Sequence, residues 1–152
     1  MRRFLGTITI VFAVWIIWPS SVSAALTQGT QLNFFVSSQY DFQGRTQVSA
    51  TLQHVAANAY LFVEDDYFAS LTPAEQATLL SNTQALGNEF DATIHSRLIP
   101  FWGDVPNPGI DADPRIFLLL SRLGSNAGGY FNTGNEYSRT QIADSNEKEL
   151  IY

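Results

Sequence analysis

One long helix constrains the fold of this chain more than any other feature of its sequence. Thr72, Pro73 and Glu75 predict where it begins, because proline suits the first helical position and Thr-x-x-Glu forms a capping box. Apolar positions then recur at steps of four and three, which places the following residues on one face: Leu79, Thr83, Leu86, Phe90, Ile94 and Leu98. The spacing predicts a helix from Pro73 to about Leu98.

Two further residues refine this helix. Gly87 falls on the apolar face, where the absence of a side chain would let the helix lie close to a sheet. Pro100 is expected to end the helix, because proline lacks the N–H donor and disfavours helical backbone in the residue before it. A helix of this length would cross the whole sheet of a small domain.

Short apolar segments on both sides of the helix predict a sheet. From Gln47 to His54 the residues alternate, with Val48, Ala50, Leu52 and His54 facing one side. The predicted strands are Leu32–Val36, Gln47–His54, Ala59–Val63, Arg115–Leu120, an edge segment Gly129–Asn132 and Lys148–Tyr152. Glu64–Asp66 is expected to be a solvated strand end. The sequence predicts an α+β fold, a mixed sheet backed by one long helix.

The first 24 residues have the three-part pattern of a secretory signal. A basic start at Arg2 and Arg3 precedes the apolar segment Phe4–Trp18, and small residues lead to a cleavage site after Ala24. The apolar segment ends at Pro19, short of the roughly 20 residues that a membrane-spanning helix needs. We therefore expect a secreted, extracellular protein with no stable membrane anchor.

Composition excludes several classes of function. The 152-residue chain has no cysteine, which rules out disulfides, thiolate zinc sites and cysteine nucleophiles. Its formal net charge is −6 and its eight Lys and Arg residues are scattered, so we expect no nucleic-acid partner. The length fits one domain. We expect residues 25–46 to form an N-terminal strand and loop, and residues 47–152 to form the main domain.

The two histidines do not have the spacing of a metal site. Zinc sites need three or four ligands, and His54 and His95 lie far apart in the sequence without a second histidine nearby. We expect His54 to be a hydrogen-bonded core residue and His95 to face solvent on the flank of the helix. The chain has no Gly-x-Ser-x-Gly elbow, and Gly124–Gly129 lacks the Lys-Ser/Thr of a phosphate loop.

Acidic residues offer a second kind of candidate site. Asp111 and Asp113, preceded by Asp104, could hold Ca²⁺ through oxygen ligands, although the spacing is not that of an EF-hand. An Asx turn leading into the next strand is the interpretation that the spacing favours. Glu147 and Glu149 are expected to point to one side of the last strand and to form no facing acid–base pair.

Three motifs in the second half resemble a known family. They are Asn-Pro-Gly-Ile-Asp-Ala-Asp-Pro-Arg-Ile at 107–116, Gly-Gly-Tyr-Phe at 128–131 with Asn-Glu-Tyr-Ser-Arg at 135–139, and Ser-Asn-Glu-Lys-Glu-Leu-Ile-Tyr at 145–152. Together they resemble the region before the active-site helix in hyicolysin-like secreted bacterial zinc metallopeptidases. The resemblance covers roughly Gln47 to Tyr152 and implies the N-terminal half of a zincin-like domain, with export from a bacterial cell.

The resemblance also implies where the chemistry would lie. In that family the strand matching Lys148–Tyr152 leads into a helix bearing His-Glu-x-x-His, a motif that this chain does not contain. The resemblance therefore assigns no catalytic and no metal-binding residue here, and zinc would be bound only by a full-length protein. The final Leu-Ile-Tyr either closes the sheet or marks a truncation. We expect truncation, a fragment that lacks the C-terminal half of its domain and cleaves nothing as given.

One substrate-binding element can be carried over from the family. Gly128, Gly129, Tyr130, Phe131 and Asn132 occupy the place of the edge strand that hydrogen-bonds the backbone of a polypeptide substrate. The glycines would let that backbone come close, and the two aromatic residues would alternate between cleft and core. The alternative interpretation is a glycine turn followed by an ordinary strand.

Two other functions remain open at this point. The chain can instead be a complete, non-catalytic secreted module that binds peptides or proteins through the same exposed edge strand. It can also be a structural domain stabilised by calcium at the acidic turn.

Overall fold

A computed structural model describes residues 25–107, 109–124 and 127–152. The predicted signal peptide therefore lies outside the described residues. The strands are β1 (Gln31–Phe35), β2 (Gln47–Val55), β3 (Ala59–Glu64), β4 (Ile116–Leu120) and β5 (Leu150–Ile151). The helical segments are α1 (Asp65–Ala69), α2 (Pro73–Glu89), a π-helical turn (Phe90–Ile94), α3 (His95–Trp102) and a 3₁₀ turn (Thr133–Glu136). None of the helices in the described ranges is both long and apolar enough to cross a membrane.

The five strands form one mixed sheet in the order β1-β2-β3-β4-β5. Strands β1, β2 and β3 pair antiparallel, whereas β3, β4 and β5 pair parallel. The helical segments α1 to α3 lie between β3 and β4, since parallel neighbours need a long crossover connection. The predicted α+β class, with a mixed sheet and a long helix, is confirmed.

The sheet carries apolar side chains on both faces, which explains why β3 is buried along its whole length. It curls, so that one face encloses the larger core around Tyr60, Phe62 and Phe117. The opposite face, where Leu61 lies, packs against Phe90 and Ile94 of the helical crossover. We call these the inner face and the helix face.

Gly87 brings helix α2 onto the sheet as predicted. A Cβ at this position would lie 2.5 Å from Cδ2 of His54 and 3.2 Å from Cδ1 of Leu61, so any side chain would force the helix outward. The predicted capping box is also confirmed, since the backbone N–H of Thr72 donates to the carboxylate of Glu75 at 2.8 Å.

The predicted end of the helix at Leu98 is wrong, and so is the role given to Pro100. Helical backbone continues through α3 to Trp102, with Pro100 inside it. The turn after the proline still closes, because Gly103 N donates to Ile99 O at 2.9 Å. The chain leaves the helix only at Gly103, whose φ is +82°.

The apolar face of the helix is only partly as predicted. Thr83, Gly87 and Phe90 are buried, whereas Leu86 and Leu98 are exposed. The π-helical turn at Phe90–Ile94 is wider than an α-helical turn, so it shifts the angular position of every later residue. This shift explains why Leu98 is exposed; Leu86 precedes the turn, and the turn does not explain its exposure.

Candidate functional site

The candidate edge segment, residues 128–132, lies beside β5 and runs antiparallel to it. Tyr130 and Tyr152 exchange two backbone hydrogen bonds, each of 3.0 Å, and Phe131 lies opposite Ile151 in a single bridge. The predicted extended segment is therefore present, but it pairs with the sheet over a shorter length than Gly129–Asn132.

The backbone of Phe131 faces away from the sheet. In an antiparallel ladder, residues that bond inward alternate with residues whose N–H and C=O point outward. Because Tyr130 bonds inward to Tyr152, Phe131 presents its N–H and C=O to the outside, and neither group has a backbone partner among the described residues. This is the pairing surface that strand addition requires.

The two glycines of this segment have different roles. A Cβ on Gly128 would meet no heavy atom of the described residues within 4 Å. A Cβ on Gly129 would lie 3.0 Å from the carbonyl oxygen of Tyr152. The missing side chain at Gly129 thus serves the pairing of the chain with itself, rather than close approach of a substrate.

Tyr130 and Phe131 lie on opposite sides of the segment. The Tyr130 ring stacks on the Tyr152 ring with centroids 4.1 Å apart, and its hydroxyl accepts a hydrogen bond from Ser37 N at 3.0 Å. Burial raises the pKa of Tyr130 to about 12. Phe131 is 59% exposed, and Ile151 opposite it is 43% exposed, so the two form a partly exposed apolar pair.

A cavity of about 130 Å³ opens beside Phe131. Its other lining residues are Val105, Ile116, Glu136, Glu149, Leu150 and Ile151. Glu149 is 7% exposed; its Oε1 accepts a hydrogen bond from Ile110 N at 3.2 Å, and its Oε2 has no partner among the described residues. Burial raises the pKa of Glu149, and the negative charges of Asp111 and Glu136 add to that effect.

Residues of the second and third sequence motifs meet behind this edge. Asn146 donates from Nδ2 to the Tyr152 hydroxyl at 2.8 Å and to Phe35 O at 2.9 Å, and its Oδ1 accepts from Phe35 N at 2.8 Å. The Asn135 side chain donates to the same Tyr152 hydroxyl at 2.9 Å. These asparagines are buried and hold β5 in place. The sequence motifs include both asparagines, but the sequence assigned them no role, because they lie in a polar stretch without periodicity.

The acidic turn before β4 forms as the preferred interpretation predicts. Asp113 N donates to Oδ1 of Asp111 at 3.0 Å, which is an Asx turn. Both carboxylates also have partners of opposite charge or a hydroxyl donor. Lys148 Nζ lies 3.2 Å from Asp111, while Asp113 accepts from the Tyr60 hydroxyl at 2.7 Å and pairs with Arg115 at 3.1 Å.

The prediction of a solvated strand end at Glu64–Asp66 is wrong for two of its three residues. Glu64 is 2% exposed and contacts Arg45 at 2.5 Å. Asp65 accepts hydrogen bonds from the hydroxyls of Thr51 and Ser49 at 2.6 and 2.7 Å. Burial acts to raise the pKa of Asp65, but these hydrogen bonds outweigh it and the pKa is lowered. Only Asp66 is exposed as predicted.

Neither histidine lies where it was predicted. A bulge in β2 between Leu52 and His54 turns His54 away from the inner face that holds Leu52, and its ring packs against Gly87 on the helix face. His95 is half-buried rather than solvent-facing, since its Nε2 lies 3.4 Å from Asp104 and its ring packs on Phe90.

Glu147 and Glu149 do not share a side, contrary to the prediction. Glu147 has a φ of +53° and accepts a hydrogen bond from Arg139 N at 2.9 Å. This left-handed backbone breaks the strand alternation, so its carboxylate turns away from the cavity that Glu149 lines.

The described residues do not fit a zinc site. Among them, no group of three or more His, Asp or Glu side chains is placed to hold a metal ion. His54 and His95 have different neighbours and are not brought together. No protein-family model matches the chain, and no curated protein matches it either.

Proposed function

We propose that this chain binds an extended polypeptide along residues 128–132 by adding it as a strand to the open edge. The observation that carries the proposal is the backbone of Phe131, whose N–H and C=O point outward without a backbone partner among the described residues. Backbone pairing of this kind accepts many side-chain sequences, as a peptidase substrate site must. The exposed Phe131 ring would cover one face of the bound strand.

In this proposal the chain is the substrate-binding part of a secreted, hyicolysin-like zinc metallopeptidase. The three motifs carry that resemblance, and the sheet supports it, because an antiparallel edge segment lies beside β5 and a long helix backs the sheet. The described residues bind and align the polypeptide. They offer no cluster for zinc, so hydrolysis of the peptide bond is assigned to none of them.

A non-catalytic, secreted peptide-binding module is the second candidate. One observation favours it: Tyr152 pairs with Tyr130 through backbone bonds of 3.0 Å, so residues of the chain itself position the edge segment. The gene sequence beyond Tyr152 separates the two candidates. An in-frame His-Glu-x-x-His supports the peptidase, and a stop codon supports the module.

Peptide binding itself is tested with two substitutions at one position. Phe131→Pro removes the outward N–H, whereas Phe131→Ala removes the ring and keeps it. With a fluorescein-labelled poly-alanine octapeptide, fluorescence anisotropy should show binding at least tenfold weaker for the proline variant than for the alanine variant, which corresponds to about 1.4 kcal/mol. Equal affinities of the two variants would contradict strand addition at this edge.

A further inference from the structure

The cavity beside Phe131 lies where a bound strand would place side chains. Phe131 and Ile151 are opposite each other and so share a face, and Glu149, two residues before Ile151, has its side chain on that face as well. Ile116 is the neighbour of Glu149 on β4, because Phe117 pairs with Leu150. If the polypeptide binds as proposed above, the ligand residue opposite Phe131 directs its side chain to this face.

Glu149, which lines this cavity, has a buried carboxylate oxygen without a hydrogen-bonding partner in the part of the chain that the structure describes. The residue is 7% exposed and its Oε2 lacks a partner among the described residues, while Ile110 N occupies only Oε1. A buried carboxylate oxygen without a partner is unfavourable. Two basic side chains close to Glu149 in the sequence or on the neighbouring strand do not neutralise it. Lys148 forms an ion pair with Asp111, and Arg115 forms one with Asp113.

We propose that this cavity is a specificity pocket for a lysine or arginine side chain of the bound polypeptide. The inference rests on the strand-addition function proposed above. The cationic head would pair with Oε2 of Glu149, and Glu136 at the rim would add attraction. The aliphatic stem would pack on Phe131, Ile116 and Ile151, because long basic side chains bury their stems along apolar surface.

The spacing of strands selects for a long side chain. Neighbouring strands lie about 4.8 Å apart, so a ligand strand beside Phe131 would run about 10 Å from the backbone of β5 and of Glu149, which directly precedes it. A short side chain would leave Oε2 unpaired. An apolar side chain would pack against the cavity walls but leave the same oxygen unpaired. An acidic side chain would be repelled by Glu149 and Glu136.

The test uses peptides that differ only at the central residue. Fluorescein-labelled nonapeptides of alanine with central lysine, norleucine or glutamate are titrated with the full chain and followed by anisotropy. The wild type should bind the lysine peptide at least tenfold more tightly than the norleucine peptide. Glu149→Gln should reduce that ratio to about twofold or less by weakening binding of the lysine peptide.

Two further variants sharpen the test. Glu136→Gln, at the rim, should reduce the lysine preference by a smaller factor. Glu147→Gln removes one negative charge from the same region, but its carboxylate faces Arg139, so the preference should persist. Melting curves of all variants establish that each is folded.

Each outcome bears on one proposal or on both. A wild-type preference for lysine of less than twofold, or a preference that survives Glu149→Gln, overturns the pocket while norleucine binding sustains strand addition. If neither the lysine nor the norleucine peptide binds, the proposed function fails and the pocket fails with it.

Discussion

The two edges of the sheet differ at the residues nearest Tyr152. At β1, Phe35 also has outward-facing backbone groups, but Asn146 occupies both of them, with hydrogen bonds of 2.8 and 2.9 Å. At the other edge, the outward groups of Phe131 have no backbone partner among the described residues. An unpaired edge is a liability that proteins usually cover. At these two positions the edges therefore differ, although farther along β1 Gln31 and Asn33 also turn their backbone groups outward without a partner among the described residues.

The two edges are also connected. The Tyr152 hydroxyl donates to Phe35 O at 2.9 Å, which helps to cover the β1 edge at Phe35, while the Tyr152 backbone pairs with Tyr130. One residue thus helps to close one edge and to place the other. The predictions below separate these two roles, from the largest expected effect to the smallest.

Removing the side chain that covers β1 should have the largest effect. Asn146→Ala leaves Phe35 N–H and C=O and the Tyr152 hydroxyl short of partners, so we expect a loss of about 3 kcal/mol in the free energy of unfolding. Urea unfolding followed by far-UV circular dichroism measures it. Asn82→Ala, at an exposed position of α2, is the matched control and should change stability by less than about 0.5 kcal/mol. Equal effects of the two substitutions would remove the distinction between covered and open edges.

Proline at each edge compares the two directly. Phe35→Pro removes an N–H that donates to Asn146, whereas Phe131→Pro removes one with no backbone partner among the described residues. Relative to alanine at the same position, proline should destabilise by about 2 kcal/mol at residue 35 and by less than about 0.5 kcal/mol at residue 131. Thermal melts of the four variants test this. A large penalty at both positions would mean that the Phe131 edge is also closed.

Alkaline pH should loosen the Phe131 edge through Tyr130. Burial raises the pKa of Tyr130 to about 12, against about 10 in an unfolded chain, so folding favours the neutral phenol. Its contribution to stability is therefore complete below pH 10 and is lost as the pH rises through about 12. Melting temperatures between pH 9 and 12 should fall less steeply for Tyr130→Phe than for the wild type. If the melting temperatures of the two proteins fell equally with pH, Tyr130 would be excluded as a cause of the alkaline destabilisation.

The smallest effect is a gain in stability. Burial raises the pKa of Glu149, so its ionisation opposes folding as the pH rises above about 4.3. Glu149→Gln keeps an acceptor for Ile110 N and should stabilise the protein at pH 7 by about 0.5–1 kcal/mol, with the gain vanishing near pH 4. Glu147→Gln serves as the control. A destabilised Glu149→Gln variant at pH 7 would show that the ionised carboxylate already has a partner.

Local sequence patterns predicted most of the strands and the helix, but not the irregularities within them. Periodicity located β1 to β4 and the start of α2, because both depend on residues close in sequence. It failed at His54, where a bulge reverses the alternation, and beyond Phe90, where the π-helical turn changes the helical step. Neither irregularity has a residue pattern that marks it.

The candidate site was predictable only in part. The edge segment, which contains the exposed Phe131, followed from its own residue pattern, and its substrate-binding role followed from a family resemblance. Asn146 and the cavity at Glu149 depend on contacts between residues far apart in the chain. Glu64 illustrates the same limit, since its burial depends on Arg45, which no spacing rule connects to it.

The hydrogen bond between Tyr152 and Phe35 also means that part of the sheet can form only late in folding. Its two residues are 117 positions apart, so β1 emerges from the ribosome long before the side chains that cover it exist. Contacts of such long range form late and slowly. In an exported protein, as proposed here, this delay would keep the chain unfolded during translocation. The sheet would then complete its folding only after the chain has crossed the membrane.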